Sequence, residues 1–140
     1  MENTNYKTIA SKIKFEGRAF INGKYVDAID GGKFETINPA TGDVLCSVAK
    51  CNSKDVDLAV KVSRKAFNSG VWSKTSPEFR KDILLKFAEL LRNHGVENSV
   101  LECIDTGKLI GDCINEVAND APMHFQWYGE LIDKVFGKVG

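Results

Sequence analysis

No run of uncharged apolar residues in the 140-residue sequence is long enough to cross a bilayer, and the opening residues, Met1-Glu2-Asn3-Thr4-Asn5, precede no apolar core. The reading is a soluble, cytoplasmic chain that is neither secreted nor membrane-spanning. Charge of one sign is also missing. Nineteen basic side chains face nineteen acidic ones, without the basic excess that phosphate-dominated binding needs, so nucleic acid is not an expected partner. Histidine is scarce, and the two present, His94 and His124, lie too far apart for an H-x3-5-H half-site. The four cysteines, Cys46, Cys51, Cys103 and Cys113, contain no C-x2-C pair. Without a signal peptide or a zinc spacing, buried free thiols are the default reading, since Cys46, Cys103 and Cys113 sit among apolar neighbours.

What is present is a short β region followed by helices. Residues 1–18 read as a lead containing at most a short helix. Phe20-Ile21 and Tyr25-Val26 flank Asn22-Gly23, a pair that tolerates positive φ at both central positions of a type I′ hairpin turn. Phe34-Glu35-Thr36-Ile37-Asn38 alternates as a strand until Pro39, and Val44–Ala49 is the next strand. Ser53 is the expected cap of a helix whose buried stripe would be Val56, Ala59, Val60, Ser63, Ala66 and Phe67, ending at Asn68-Ser69-Gly70. Ser76-Pro77 opens a second helix carrying Phe79, Ile83, Leu84, Phe87, Leu90 and Leu91. Val96, Val100, Leu101 and Ile104 mark a third, stopped at Thr106-Gly107. From Ile110 to Val135 a fourth would run about 39 Å at 1.5 Å per residue, with a kink at Pro122. Such a helix, carrying Phe125, Trp127, Tyr128 and Phe136, should leave apolar surface exposed.

Chemical signatures are sparse. Thr106-Gly107-Lys108 resembles the end of a phosphate loop, but Glu102 and Leu109 stand where that loop needs glycine and serine or threonine. No G-x-G-x-x-G follows a strand. No cysteine has a base nearby in sequence to lower its pKa. Glu97, Glu102 and Asp105 read as a solvated helix face. Asp105 is nonetheless placed at a helix carboxyl end, where the helix dipole disfavours an anion, so Lys108, a loop amide or a bound cation should compensate it.

Several blocks in order carry a resemblance: Phe20-Ile21-Asn22-Gly23-Lys24-Tyr25, then Phe34 through Leu45, then Asp55-Val56-Asp57-Leu58-Ala59-Val60 with Ala66-Phe67, Trp72 and Arg80, then Leu101 through Lys108. From residue 19 to about 140 the chain resembles the amino-terminal part of the NAD(P)-dependent aldehyde dehydrogenases. The lead and Pro122 are most similar to the branch acting on γ-glutamyl-γ-aminobutyraldehyde. Leu109 departs from the proline that many members carry after Gly-Lys.

The resemblance implies an α/β fold: short antiparallel strands followed by four helices, with residues 19–140 an incomplete Rossmann-type cofactor domain ending before the nucleotide-binding turn. It implies a reaction in which a cysteine thiolate attacks an aldehyde, hydride passes to NAD or NADP, and a glutamate activates water to release the acid. The family's G-Q-x-C, E-L-G-G-K and G-x-T-x-x-G stretches are absent here, so no catalytic or cofactor-binding residue carries over. The one site that does is a monovalent cation, K+ or Na+, held by the carbonyls of Thr36 and Ile37 and the carboxylate of Asp105. The expected reading is a truncated enzyme, inactive alone. Two alternatives stand beside it: an interaction module pairing with a second copy or a full-length homologue through the last helix, and a small-ligand enzyme built on Asp105 and Lys108.

Overall fold

A computed structural model of the chain describes residues 4–135. Met1–Asn3, Phe136 and the Gly137-Lys138-Val139-Gly140 tail lie outside the described residues. The chain divides into two compact units: one is Lys14–Lys74, and the other combines the residues up to Ile13 with those from Thr75 onward.

In the first unit, β1 (Ala19–Ile21) and β2 (Lys24–Val26) form an antiparallel ribbon in the register Ala19↔Val26 and Ile21↔Lys24. Asn22 and Gly23 turn it with φ of 55° and 76°, the type I′ geometry expected of Asn-Gly. The Phe20 and Tyr25 rings meet edge-on at 5.1 Å. A second ribbon joins β3 (Lys33–Ile37) to β4 (Val44–Ala49), with a register shift between Thr36 and Ile37. Gly17 lies close beside β4: its carbonyl accepts from the Ala49 amide at 2.7 Å, and a Cβ there would fall on the Ser47 carbonyl.

Helix α2 (Ser53–Ser69) departs from expectation at its start. Asn52, not Ser53, is the cap: its Oδ1 accepts from the Lys54 amide, and Asp55 accepts in return from the Asn52 amide at 2.8 Å, a reciprocal capping box. Gly70 closes the helix in the left-handed region. The expected buried stripe is instead largely open. Val60 is 60% and Phe67 66% exposed, because α2 shows solvent the face that the periodicity marks as apolar. Ala59, Val60, Ser63, Arg64 and Phe67 line an open groove of about 540 Å³.

The second unit is helical. Helix α1 (Tyr6–Ala10), the short helix allowed for the lead, packs on α4 (Gly95–Thr106). Ser76 caps α3 (Pro77–Asn93), with Pro77 at its first position, where a missing N–H leaves nothing unsatisfied. Gly107 ends α4 at φ 75°. The last long segment is one path in three parts: α5 (Ile110–Cys113), a π-helical stretch (Ile114–Asp120) and α6 (Ala121–Leu131). The expected helix to Val135 thus stops at Leu131, and a wider turn ahead of Pro122 replaces a simple kink. Pro122 lacks an N–H, and the π stretch ends immediately before α6 begins.

Small residues set the helix spacing. Ala88 is fully covered, Gly95 faces Ala118, and Gly129 faces Leu84. Phe87 and Phe125 add an edge-on ring pair at 4.6 Å between α3 and α6. A Cβ at Gly95 would stand 2.8 Å from the Ala118 Cβ and 3.0 Å from its Cα, whereas at Gly111 it would meet nothing within 4 Å. Gly95→Ala is expected to destabilise the chain by about 1–3 kcal/mol. Gly111→Ala should be neutral or stabilising by up to about 1 kcal/mol through helix propensity. Urea unfolding of the two variants checks the contrast.

Candidate functional site

The residues implicated by sequence fall in both units. Thr36 and Ile37 flank the register shift in β3, where the ladder with β4 jumps from the Thr36↔Cys46 pair to Ile37↔Val44. Such a bulge redirects main-chain groups locally. Asp105 occupies the last turn of α4, in the other unit. No group of three or more histidine, cysteine or acidic side chains is placed to hold a metal ion among the described residues.

Around the α4 carboxyl end the ionic partners are specific. Lys108 Nζ donates to Glu116 Oε2 at 2.6 Å and stands 3.5 Å from Glu102 Oε1. The Glu116 contact, followed by Glu102, holds the Lys108 ammonium above its ordinary pKa. Lys108, one of the three groups offered to compensate Asp105, sits between two carboxylates, Glu102 from α4 and Glu116 from the π stretch. Thr106 Oγ1 donates to the Glu102 carbonyl at 2.7 Å, closing the last turn.

Beside this network, Ser99 Oγ donates to the carbonyls of Gly95 and Cys113, at 2.7 and 3.1 Å. Cys113 is buried, and burial pushes its thiol pKa up, away from the thiolate that nucleophilic chemistry needs. Cys103 Sγ donates to the Lys108 carbonyl at 3.1 Å. Cys46 and Cys103 are half-buried, whereas Cys51 is exposed, a correction to the buried reading. All four are free thiols, and none is arranged with a base as a nucleophile among the described residues.

The residue that sequence reasoning undervalued is Asp55. It appears there only as the first residue of the Asp55–Val60 block that carries the resemblance, yet it is 2% exposed and bridges two segments. Its Oδ1 accepts from the Ile29 amide at 2.9 Å and its Oδ2 from Asn52. Asn52 Nδ2 in turn donates to Asp30 Oδ2 at 2.8 Å, and Asp30 Oδ1 accepts from the Gly32 amide. The Asn52-x-x-Asp55 spacing was the available signal. The arrangement is structural: every carboxylate oxygen in it already has a main-chain or amide donor.

On α6 the expected apolar exposure is observed. Trp127 and Tyr128 are 64% and 61% exposed, and with Met123 and His124 they line an open groove of about 260 Å³. No helix among the described residues is long and apolar enough to cross a membrane.

The geometry thus describes a scaffold with a half-covered helical layer and no assembled reaction centre among the described residues. The aldehyde dehydrogenase family model matches residues 25–140. "Aldehyde dehydrogenase 1" of Tanacetum cinerariifolium is 53% identical over 106 residues, covering 76% of this chain and 21% of its own length. The crystal structure of γ-glutamyl-γ-aminobutyraldehyde dehydrogenase from Burkholderia cenocepacia superposes with a TM-score of 0.92 at 42% identity, covering 96% of this chain and 27% of that one. An indole-3-acetaldehyde dehydrogenase of P. syringae, solved with NAD+ and IAA, gives the same TM-score at 38% identity. The chain belongs to the aldehyde dehydrogenase family. It spans about a quarter of the length of the relatives it matches.

One electrostatic feature of the helical unit is directly measurable. Asp133 accepts from Lys134 at 2.7 Å and from Lys81, across on α3, at 3.0 Å. The Lys134 contact first and Lys81 second lower its pKa from 3.8 to about 2. The folded value lies below the ordinary one, so any stabilisation from this group is present above pH 3.8 and is lost as pH falls toward 2. A carboxyl NMR titration should give a midpoint near 2 for Asp133. Lys134→Ala and Lys81→Ala should each raise it, the first by more.

Proposed function

We propose that these 140 residues form the amino-terminal section of an NAD(P)-dependent aldehyde dehydrogenase, whose whole reaction converts an aldehyde, NAD(P)+ and water to a carboxylic acid and NAD(P)H. The observation that carries the proposal is the continuous match: one family pattern runs through residues 25–140, and 96% of the chain follows a single dehydrogenase backbone. In this reading residues 1–18 are a lead, and 19–140 are the opening of the cofactor domain, ahead of its nucleotide turn. The protein works in the cytoplasm as part of a homo-oligomer. Its substrate is an aminoaldehyde-type compound, on the strength of the similarity to the γ-glutamyl-γ-aminobutyraldehyde enzyme.

The 140 residues contain no G-Q-x-C nucleophile stretch, E-L-G-G-K base stretch or G-x-T-x-x-G turn, so the chain by itself lacks the family's nucleophile, its base and its cofactor turn. The isolated chain should give no aldehyde-dependent NADH or NADPH above a buffer blank, measured at 340 nm. Reproducible turnover would overturn this part of the reading.

A cation belongs to the same proposal. The family resemblance is what supports it: the Thr36 and Ile37 carbonyls and the Asp105 carboxylate are oxygen ligands of the kind that suit K+ or Na+. Melting in potassium, sodium and choline chlorides at equal ionic strength is the test. A higher Tm in one of the metal salts is expected, and identical melts would sink the site.

The second reading is a non-catalytic module that pairs with a full-length homologue. The observation favouring it is the open Trp127–Tyr128 face of α6. Co-purification of tagged chain with such a homologue would support it.

A further inference from the structure

Asparagine precedes glycine at one place in the sequence, Asn22-Gly23, and aspartate at one, Asp30-Gly31. The two dipeptides sit in the same unit and share an intrinsic chemistry. In each, the main-chain nitrogen of the glycine can attack the preceding side-chain carbonyl carbon, since glycine offers no Cβ to obstruct a five-membered ring. The structure treats them oppositely. At Asp30-Gly31 both reacting groups are held: the Gly31 amide donates to the Ala28 carbonyl at 2.8 Å, and the Asp30 carboxylate accepts from Gly32 and from Asn52. At Asn22-Gly23 neither is. Among the described residues the Asn22 carboxamide has no hydrogen bond, and the Gly23 amide, at the centre of a two-residue turn, donates to nothing. Both residues are exposed, and the space where a Gly23 Cβ would lie is empty to 4 Å. The strands on either side have three residues each and pair only with one another, so little opposes the local opening that brings nitrogen to carbonyl.

We propose that Asn22 is a modification site, deamidating spontaneously in the folded chain with water as co-reactant. Base in solvent takes the Gly23 amide proton, and the nitrogen forms a bond to Asn22 Cγ. The Cγ–Nδ2 bond breaks, and ammonia leaves with a proton from solvent. One water then opens the succinimide at either of its carbonyl–nitrogen bonds, leaving aspartate or isoaspartate at position 22; no electron is gained or lost. The two products differ in consequence. Aspartate keeps the turn and adds a negative charge beside Lys24. Isoaspartate lengthens the main chain by one carbon inside a two-residue turn, so the Ile21↔Lys24 register of the hairpin cannot be kept.

The test incubates the folded chain at neutral and mildly alkaline pH. It follows every asparagine peptide by mass spectrometry and isoaspartate by enzymatic carboxyl methylation. The expected result is conversion at Asn22 ahead of all other asparagines, faster at the higher pH, with Asp30 unisomerised over the same period. Asn22→Gly keeps a residue suited to positive φ and should abolish the isoaspartate signal. A folded chain that retains its Asn22 amide while the urea-unfolded chain loses it would overturn the proposal, as would isoaspartate arising first at Asp30.

Discussion

The helical unit is held together where its side chains are smallest. Gly95 lies against Ala118, Gly129 against Leu84, and Ala88 is completely covered. Close approach at these points fixes how α4 runs past the π stretch and how α6 lies on α3. The polar details follow from that spacing: Ser99 reaches the Cys113 carbonyl, and Lys108 reaches both Glu102 and Glu116. The cost of packing through small residues is that large ones point elsewhere. Phe79, Ile83 and Leu90 on α3 and Trp127 and Tyr128 on α6 are all exposed.

The β unit solves a different problem with the Asp55 carboxylate. A buried acid is costly unless its oxygens are satisfied. Here the Ile29 and Asn52 amides satisfy both, tying the 27–32 loop to the start of α2. Polar interactions hold one side of α2, and its apolar stripe remains uncovered. In both units, then, local chemistry is complete while large apolar surfaces are not. That pattern fits the proposed reading of the chain as the amino-terminal section of a longer dehydrogenase.

The parts legible in the sequence were those decided by neighbours in the chain. Asn22-Gly23, Ser76-Pro77, Gly70 and Gly107 each announce a turn or a helix end through backbone chemistry that needs no tertiary partner, and each stands where expected. Periodicity located α2 but could not say which of its faces is covered, because that depends on residues distant in sequence. The choice between Asn52 and Ser53 as its cap turned on whether the third helical residue could answer, and Asp55 can. The π stretch was invisible because a wider turn leaves the apolar spacing nearly intact. At the candidate site, Asp105 was readable as a charge misplaced on a helix dipole. The carbonyls of Thr36 and Ile37 have no side-chain signature and entered only through family resemblance, and Lys108's partners depend on how the turn after Gly107 folds back.

The central proposal is that this chain, a member of the aldehyde dehydrogenase family, does not bind the nucleotide by itself. The most direct measurement is titration of the isolated chain with NAD+, followed by the fluorescence of Trp72 and Trp127 and by calorimetry. No saturable signal and no heat beyond dilution are the results the account requires. Saturable, stoichiometric NAD+ binding would contradict it.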